Sequence, residues 1–275
     1  MVLGKDNILE IVRDTEPGLY LKDEEGNEVL LPNRYVPEEF EIGDTIEVFV
    51  YLDNEERVIA TTDEPYIYKG DFGLLRCNQV NEFGAFLDWG LVKELFCPFK
   101  EQASKMRVGS WYLVYCYLDE KSGRLAASSK TNKFLDETEI TVEPFEEVDL
   151  IVSHPSELGM NVIINKKHLG LVFEEDIFRD LSIGDELKGF IKRIRPDKKI
   201  TVVLDRMGYR SIEPNADKIM QRLQDNNGTL RLTDKSSPDE IKDILQMSKK
   251  SFKKAIGTLY KKRLITISDK EIKLK

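Results

Sequence analysis

Residues 42–53 read IGDTIEVFVYLD, with Ile46, Val48, Val50 and Leu52 on one side of an extended chain and Glu47, Phe49 and Tyr51 on the other. A period of two predicts a β-strand. Nearly the same pattern returns at 108–119, VGSWYLVYCYLD, and at 183–194, IGDELKGFIKRI, which aligns Gly43, Gly109 and Gly184. A second set of glycines, Gly18, Gly84 and Gly159, stands 25 residues upstream of the first set in all three places. Thirteen residues beyond each of these come the apolar Leu31, Cys97 and Val172. Such self-similarity fixes the architectural unit before any residue is given a role.

Each unit holds short runs of Val, Ile, Tyr and Phe broken by Gly, Asp and Asn, the signature of strands and tight turns. The segments LDNEER, LDEKSG and IRPDKK read as hairpin turns leading into the final strands VIATT, LAASS and ITVVL. Five strands in about 65 residues predict a small OB-fold barrel. The expected barrels cover residues 1–63, 64–134 and 140–210. The paired columns Ile46/Tyr112, Val48/Val114 and Leu52/Leu118 are expected to face the barrel interiors.

From about Asn215 the period changes. ADKIMQRLQD places Ile219, Met220 and Leu223 at helical spacing, and GTLRL is a short strand. Ser237, Pro238 and Glu240 form a helix-start signal, in which the serine caps and the glutamate closes a capping box. A third helix over KKSFKKAIGTLYKKRL and a hairpin in ITISDKEIKLK complete a winged helix at 213–275. The predicted fold class is therefore mainly β with a small α+β C-terminal domain: three tandem five-stranded OB-fold barrels followed by a winged helix-turn-helix.

Composition narrows the chemistry. The apolar runs of this 275-residue chain are far shorter than the roughly 20 residues of a membrane span, so no membrane association is expected. No signal-peptide pattern opens the sequence, which predicts a cytoplasmic location. Cys77, Cys97 and Cys116 lack metal-ligand spacing and are distant from His154 and His168, so neither a metal nor any other cofactor is expected. No phosphate-binding glycine loop or nucleophile elbow is present, which points away from an enzyme.

The net charge of -9 argues against a phosphate-bearing partner, but the charge is unevenly spread. Residues 1–62 carry sixteen Asp and Glu against five Lys and Arg, whereas residues 211–275 carry fifteen basic residues against nine acidic. In the third helix of the winged region, Phe252, Ile256 and Leu259 form an apolar stripe, and Lys249, Lys250, Lys253 and Lys254 lie mainly elsewhere. Lysines without Arg, Asn or Gln near the helix start favour contact with a sugar-phosphate backbone over base reading. The hairpin of the third unit adds Lys188, Lys192, Arg193, Arg195, Lys198 and Lys199 as a possible backbone track, of which Arg193 and Arg195 are the leading candidates.

The middle unit carries VNEFGAFLDWG, with Phe83 and Phe86 on either side of Gly84. A spacing of three puts them on opposite strand faces unless the glycine marks a bend or bulge. Together with the strands around it, this stretch resembles the S-one domain, an RNA-binding OB-fold. The resemblance implies that Phe83 and Phe86 stack on RNA bases. A histidine frequent on the neighbouring strand of that family is replaced here by Pro98, with Pro32 and Phe173 in the sister units. The same columns hold Pro17 and Tyr20 in the first unit and Leu158 and Asn161 in the third, so both aromatics occur only in the middle. Tyr20 is expected to be at most an isolated stacker, and Trp89, Trp111 and Phe99 are expected to pack inside. Arg76, Lys93 and Lys100 are the candidate phosphate contacts beside the aromatic pair.

With GLVFEEDIF and the long SPDEIKDILQMSKKSFKKAIGTLYKKRLI stretch, the order of three barrels and a winged helix resembles the bacterial CvfB (virulence factor B) family over nearly the whole chain. That resemblance implies a non-enzymatic RNA-binding regulator of gene expression with single-stranded RNA as partner. Two alternatives stand beside it: a protein-interaction scaffold docking on the ribosome or transcription machinery, and a DNA-binding winged-helix regulator.

Overall fold

The alternating segments form three sets of five strands in a computed structural model that describes residues 1–177, 179–204, 214–268 and 270–275. The first set comprises β1 (Asp6–Thr15), β2 (Gly18–Lys22), β3 (Glu28–Pro32), β4 (Thr45–Leu52) and β5 (Val58–Thr61). They close into a barrel in the order β1-β2-β3-β5-β4. The second contains β6 (Phe72–Val80), β7 (Gly84–Asp88), β8 (Leu95–Pro98), β9 (Trp111–Asp119) and β10 (Arg124–Ser128). The third contains β11 (Glu147–Ser156), β12 (Gly159–Ile164), β13 (His168–Phe173), β14 (Glu186–Ile194) and β15 (Ile200–Val203), and it closes like the first. The middle set keeps the same neighbour order but is a five-stranded sheet whose end strands are β10 and β8. They meet beyond the strand ends, where Ser129 N donates to the Glu101 carbonyl at 3.0 Å. Together these strands form one compact unit, Met1–Leu204.

The upstream glycines are required by sterics. Gly18 pairs across β2 and β3 with Pro32, Gly84 across β7 and β8 with Pro98, and Gly159 across β12 and β13 with Phe173. A Cβ on Gly18 or Gly159 would sit 2.1 Å from the carbonyl of Leu31 or Val172, and one on Gly84 would sit 2.4 Å from that of Cys97. Gly18 and Gly159 also adopt φ of 144°, which L side chains rarely tolerate. The backbones thus cross too closely for any side chain, and the 13-residue column of Leu31, Cys97 and Val172 is the other half of that contact.

The bulge expected at Gly84 lies instead across the ladder. Register slips between Cys77 and Gln79 in β6, and at the matching places Ile11/Arg13 in β1 and Val152/Pro155 in β11. Phe83 precedes β7 in a turn where Asn81 Oδ1 accepts from the backbone of Phe83 and Gly84, at 2.8 and 3.2 Å, so strand alternation does not govern its direction.

The fourth strand of the first barrel is buried on both sides. Val48 and Val50 join Leu9, Leu21 and Leu31 in the interior, with Ile46 against them. Phe49 and Tyr51, expected to be the outer face, are 2% and 3% exposed because they pack into the middle barrel. Phe49 meets Trp89 edge to face at 5.7 Å and 81°, and Tyr68 at 5.7 Å and 76°. Lys93 Nζ donates to the Asp53 carbonyl of the first barrel at 2.7 Å, and Arg124 pairs with Glu56. On the other side, Phe72 and Leu113 of the middle set bury themselves with Ile151 and Ile163 of the third. Tyr115 stacks on Phe134 at 4.0 Å, and Lys166 pairs with Asp71 at 2.7 Å across this junction. Leu118 departs from expectation: it is 37% exposed, one pair from the hairpin end of the β9–β10 ladder.

The second unit, Asp205–Lys275, holds α1 (Pro214–Asp225), β16 (Thr229–Leu230), α2 (Pro238–Leu245), α3 (Lys249–Lys261), β17 (Ile265–Ile267) and β18 (Ile272–Leu274). Ser237 and Glu240 form the capping box at α2, and Ser248 caps α3 by accepting from Ser251 N at 3.1 Å. The three strands pair in the order β16-β18-β17 beside a core of Ile219, Leu223, Ile241, Phe252, Ile256 and Leu259. This is a winged helix. The expected end of the third barrel at 210 and start of the winged helix at 213 lie outside the described residues, as does residue 269 of the hairpin turn.

Two measurements probe this packing. Phe49→Ala removes the centre of the junction between the first and middle barrels and is expected to cost about 3–5 kcal/mol in urea unfolding; a loss below about 1 kcal/mol would show that the contact does not hold the barrels together. Burial pushes the Cys97 and Cys116 thiols up to about 12 and raises Cys77 as well. Alkylation at neutral pH should therefore modify the native chain only at the rate of unfolding, and rapid labelling would contradict the burial.

Candidate nucleic-acid interface

The outward face of the middle barrel is built on β9, β6, β7 and β8. Residues paired across an antiparallel ladder share a face, so Trp111, Arg76 and Asp88 form one row across β9, β6 and β7. Gln79, Phe86 and Phe96 form a second across β6, β7 and β8. Phe86 and Phe96 lie 5.1 Å apart at a tilt of 44°, both half-buried. Phe83, in the turn just before β7, is 65% exposed. Its carbonyl accepts from Phe99 N at 3.4 Å, which places the 41% exposed Phe99 beside it.

Two sequence expectations change here. Against the expected inward packing of Trp111 and Phe99, Trp111 is 60% exposed, because its partner Arg76 lies on the outward side of β6, and Phe99 stands beside Phe83. Trp89 does pack, at 2% exposure, and its Nε1 donates to the Lys93 carbonyl. The third barrel covers this sheet at Phe72 and Leu113, and the cover stops before the row of Arg76 and Trp111. The aromatic surface is thus the uncovered remainder of a sheet whose other end is an internal junction.

Of the candidate cations, Arg76 and Lys100 are exposed here. Lys93 is not brought to this surface: its ammonium reaches the first barrel, and burial pushes its pKa down. Sequence reasoning passed over Arg107 and Lys130. Arg107 is exposed in the turn whose Gly109 lies 3.9 Å, measured from an added Cβ, from the Arg76 guanidinium, and Lys130 Nζ donates to the Lys100 carbonyl at 2.7 Å. The one signal available for Arg107 was its position two residues before a landmark glycine.

The sister barrels differ at the same columns. In the first, the Arg13 guanidinium lies over the Tyr20 ring at 4.2 Å and pairs with Glu28, so the ring expected to be free is already covered. In the third, Asn161 replaces the second aromatic. Its hairpin cations are largely engaged: Lys192 pairs with Asp176 at 2.7 Å, Arg195 with Asp197 at 3.2 Å, and Lys198 Nζ donates to the Thr138 carbonyl at 2.6 Å. Arg193 is exposed. Exposed ion pairs of this kind are worth little and exchange readily with a phosphate.

In the winged helix, Lys250, Lys253, Lys254, Tyr260 and Lys261 lie on the exposed side of α3, with Lys249 half-buried at its start. The buried stripe is Phe252, Ala255, Ile256 and Leu259. No group of three or more His, Cys, Asp or Glu among the described residues is placed to hold a metal ion, and no helix among them is long and apolar enough to cross a membrane.

Comparison with known proteins places this architecture. An S1 domain matches residues 3–63, and the CvfB-like winged helix domain matches residues 217–274. Conserved virulence factor B of Staphylococcus epidermidis is 27% identical over 99% of this chain and 95% of its own length. The Bacillus subtilis protein YitL, described as uncharacterized, is 26% identical over 94% of this chain and 89% of its own. A crystal structure of a multidomain protein with nucleic acid binding domains from Streptococcus pneumoniae superposes with a TM-score of 0.53, at 23% identity, over 99% of this chain and 98% of that one; it supports the fold. With an S1 domain at one end, the CvfB-like winged helix domain at the other and virulence factor B relatives aligned throughout, the chain is similar to the CvfB-like proteins over nearly its whole length.

Proposed function

We propose that this protein is a non-enzymatic regulator that binds single-stranded RNA across the middle barrel. The observation that carries the reading is the uncovered aromatic surface of Phe83, Phe86, Phe96, Phe99 and Trp111, interrupted by Arg76. Leaving Phe83, Phe99 and Trp111 exposed and Phe86 and Phe96 only half-buried forgoes part of the burial that drives folding, and base stacking is the interaction that recovers it in OB-folds. Each stacked base contributes about 1–3 kcal/mol with little dependence on sequence. Arg76, Lys100, Arg107 and Lys130 supply the cations for the phosphates that such a strand carries past the rings. The resemblance of the middle barrel's EFGAFLDWG stretch to the S-one domain favours RNA, and the Streptococcus pneumoniae protein, described as having nucleic acid binding domains, agrees with a nucleic-acid partner.

The exposed lysines of α3 form a second contact for the sugar-phosphate backbone, without base selectivity. Arg193 and Arg195 extend the backbone contacts along the third barrel. The acidic first barrel, its Tyr20 covered by Arg13, takes no part in strand binding.

Fluorescence anisotropy with a labelled single-stranded RNA at about 50 and about 200 mM salt separates these contributions. Phe83→Ala/Phe86→Ala is expected to lose about tenfold or more in affinity with the salt dependence retained. Reversing Lys249, Lys250, Lys253 and Lys254 to Glu is expected to weaken binding for every sequence tried and to flatten the salt dependence. Unchanged affinity in the aromatic variant would refute stacking. Absence of salt-dependent binding to any strand would favour a protein-docking scaffold, and stronger binding to duplex DNA than to single strands would favour the DNA-binding alternative.

A further inference from the structure

Gly257 is the one glycine among the described residues that the fold itself does not require. Every other one either takes a φ between 68° and 144° or has an atom within 3.2 Å of the place a Cβ would occupy. Gly257 does neither. It lies inside α3 on ordinary helical backbone, and a Cβ there would meet nothing within 4 Å among the described residues. In a helix interior glycine is the least favourable residue after proline, because it has the most backbone freedom to lose. The gap it leaves opens outward, toward something that is not part of this chain.

On a helix, the surface neighbours of a residue stand three and four positions away. Around Gly257 these are Lys253, Lys254, Tyr260 and Lys261, all exposed, with Tyr260 at 57%. Helical side chains lean toward the N-terminus, which turns Tyr260 and Lys261 back toward the gap. Lys250 continues the same face one turn before Lys253 and Lys254. The helix itself contains no Asp or Glu. Asp239, Glu240 and Asp243 of α2 stand beside Lys249 at its start, and Asp217 of α1 beside Lys262 just past its end. A depression ringed by three ammonium groups and a phenol fits a compact oxyanion, and clustered lysines are typical of phosphate contacts and depleted from protein interfaces.

We propose that Gly257 is a positioning residue: its missing side chain lets one backbone phosphate of a bound nucleic acid settle against α3, where Lys253, Lys254 and Lys261 neutralise it and the Tyr260 hydroxyl donates to it. This rests on the reading that α3 touches a sugar-phosphate backbone, and it fixes the place on the helix where that contact is made. Helix stability is given up at this position for the close approach. The stacking surface of the middle barrel has no part in it.

Urea unfolding of the full chain, with anisotropy on a labelled single-stranded RNA and on a duplex DNA of the same length, tests this. Gly257→Ala is expected to raise the urea midpoint, because alanine is favoured in an exposed helix. The same variant should bind about threefold or more weakly and lower the slope of log affinity against log salt by about one, the loss of one phosphate contact. Lys261→Ala should lower the slope likewise. Combined, the two losses should not add, since both remove the same contact, whereas Gly257→Ala and Phe83→Ala/Phe86→Ala should add. Non-additivity with either ligand supports the phosphate site and shows which nucleic acid fills it; with the duplex alone, the site stands and single-strand binding by α3 fails. Sensitivity to Gly257→Ala with none to Phe83→Ala/Phe86→Ala would keep the site and refute stacking. Four results would overturn the proposal: no binding of the wild type to either ligand, unchanged affinity and slope in Gly257→Ala, losses that add fully with Lys261→Ala, or weaker binding together with a lowered urea midpoint.

Discussion

The edge-to-face contact of Phe49 with Trp89 shows the constraint on which the Met1–Leu204 unit rests: β4, and in part β6 and β9, are apolar on both faces. A small barrel needs one apolar face for its interior, so a second one must be covered or exposed. The first barrel covers its second face with the middle barrel through Phe49 and Tyr51, and the middle barrel covers part of its own with the third through Phe72 and Leu113. What these two junctions leave uncovered is the aromatic surface around Phe83 and Phe86. Position in the array, as much as the local motif, sets where a strand can lie.

The same scaffold is used three ways at one column. Tyr20 is covered by Arg13, Phe86 lies half-buried beside Phe96, and Asn161 lines a cavity with Ile140 of the linker. The scaffold itself is held constant by the glycine crossings, which tolerate no side chain at Gly18, Gly84 or Gly159. Divergence is therefore confined to residues that do not touch the crossing, which is why the three units share spacing but not chemistry.

That division explains what the sequence disclosed. The triplication, the five strands of each unit and the winged helix were legible, because steric exclusion at the glycines and the capping box at Ser237 and Glu240 leave local signatures. The exposure of Phe83 was legible through its motif. Period two identified β4 as a strand but carried no information on what covers Phe49 and Tyr51, since a partner surface leaves no mark on the strand it covers. Lys93 read as a free cation because its acceptor, the Asp53 carbonyl, is forty residues away and is backbone. Trp111 and Phe99 read as packing residues because large aromatics usually bury, and only the ladder with Arg76 and the contact with Phe83 turn them outward.

Ultraviolet crosslinking of a single-stranded RNA to the full chain, with the modified residues mapped by mass spectrometry, tests strand binding on the middle barrel most directly, because aromatic rings stacked on bases crosslink where they stack. Adducts are expected at Phe83, Phe86 and Trp111 of the middle barrel and none at Tyr20, whose face Arg13 occupies. Adducts concentrated at Tyr20, or spread equally over all three barrels, would contradict it.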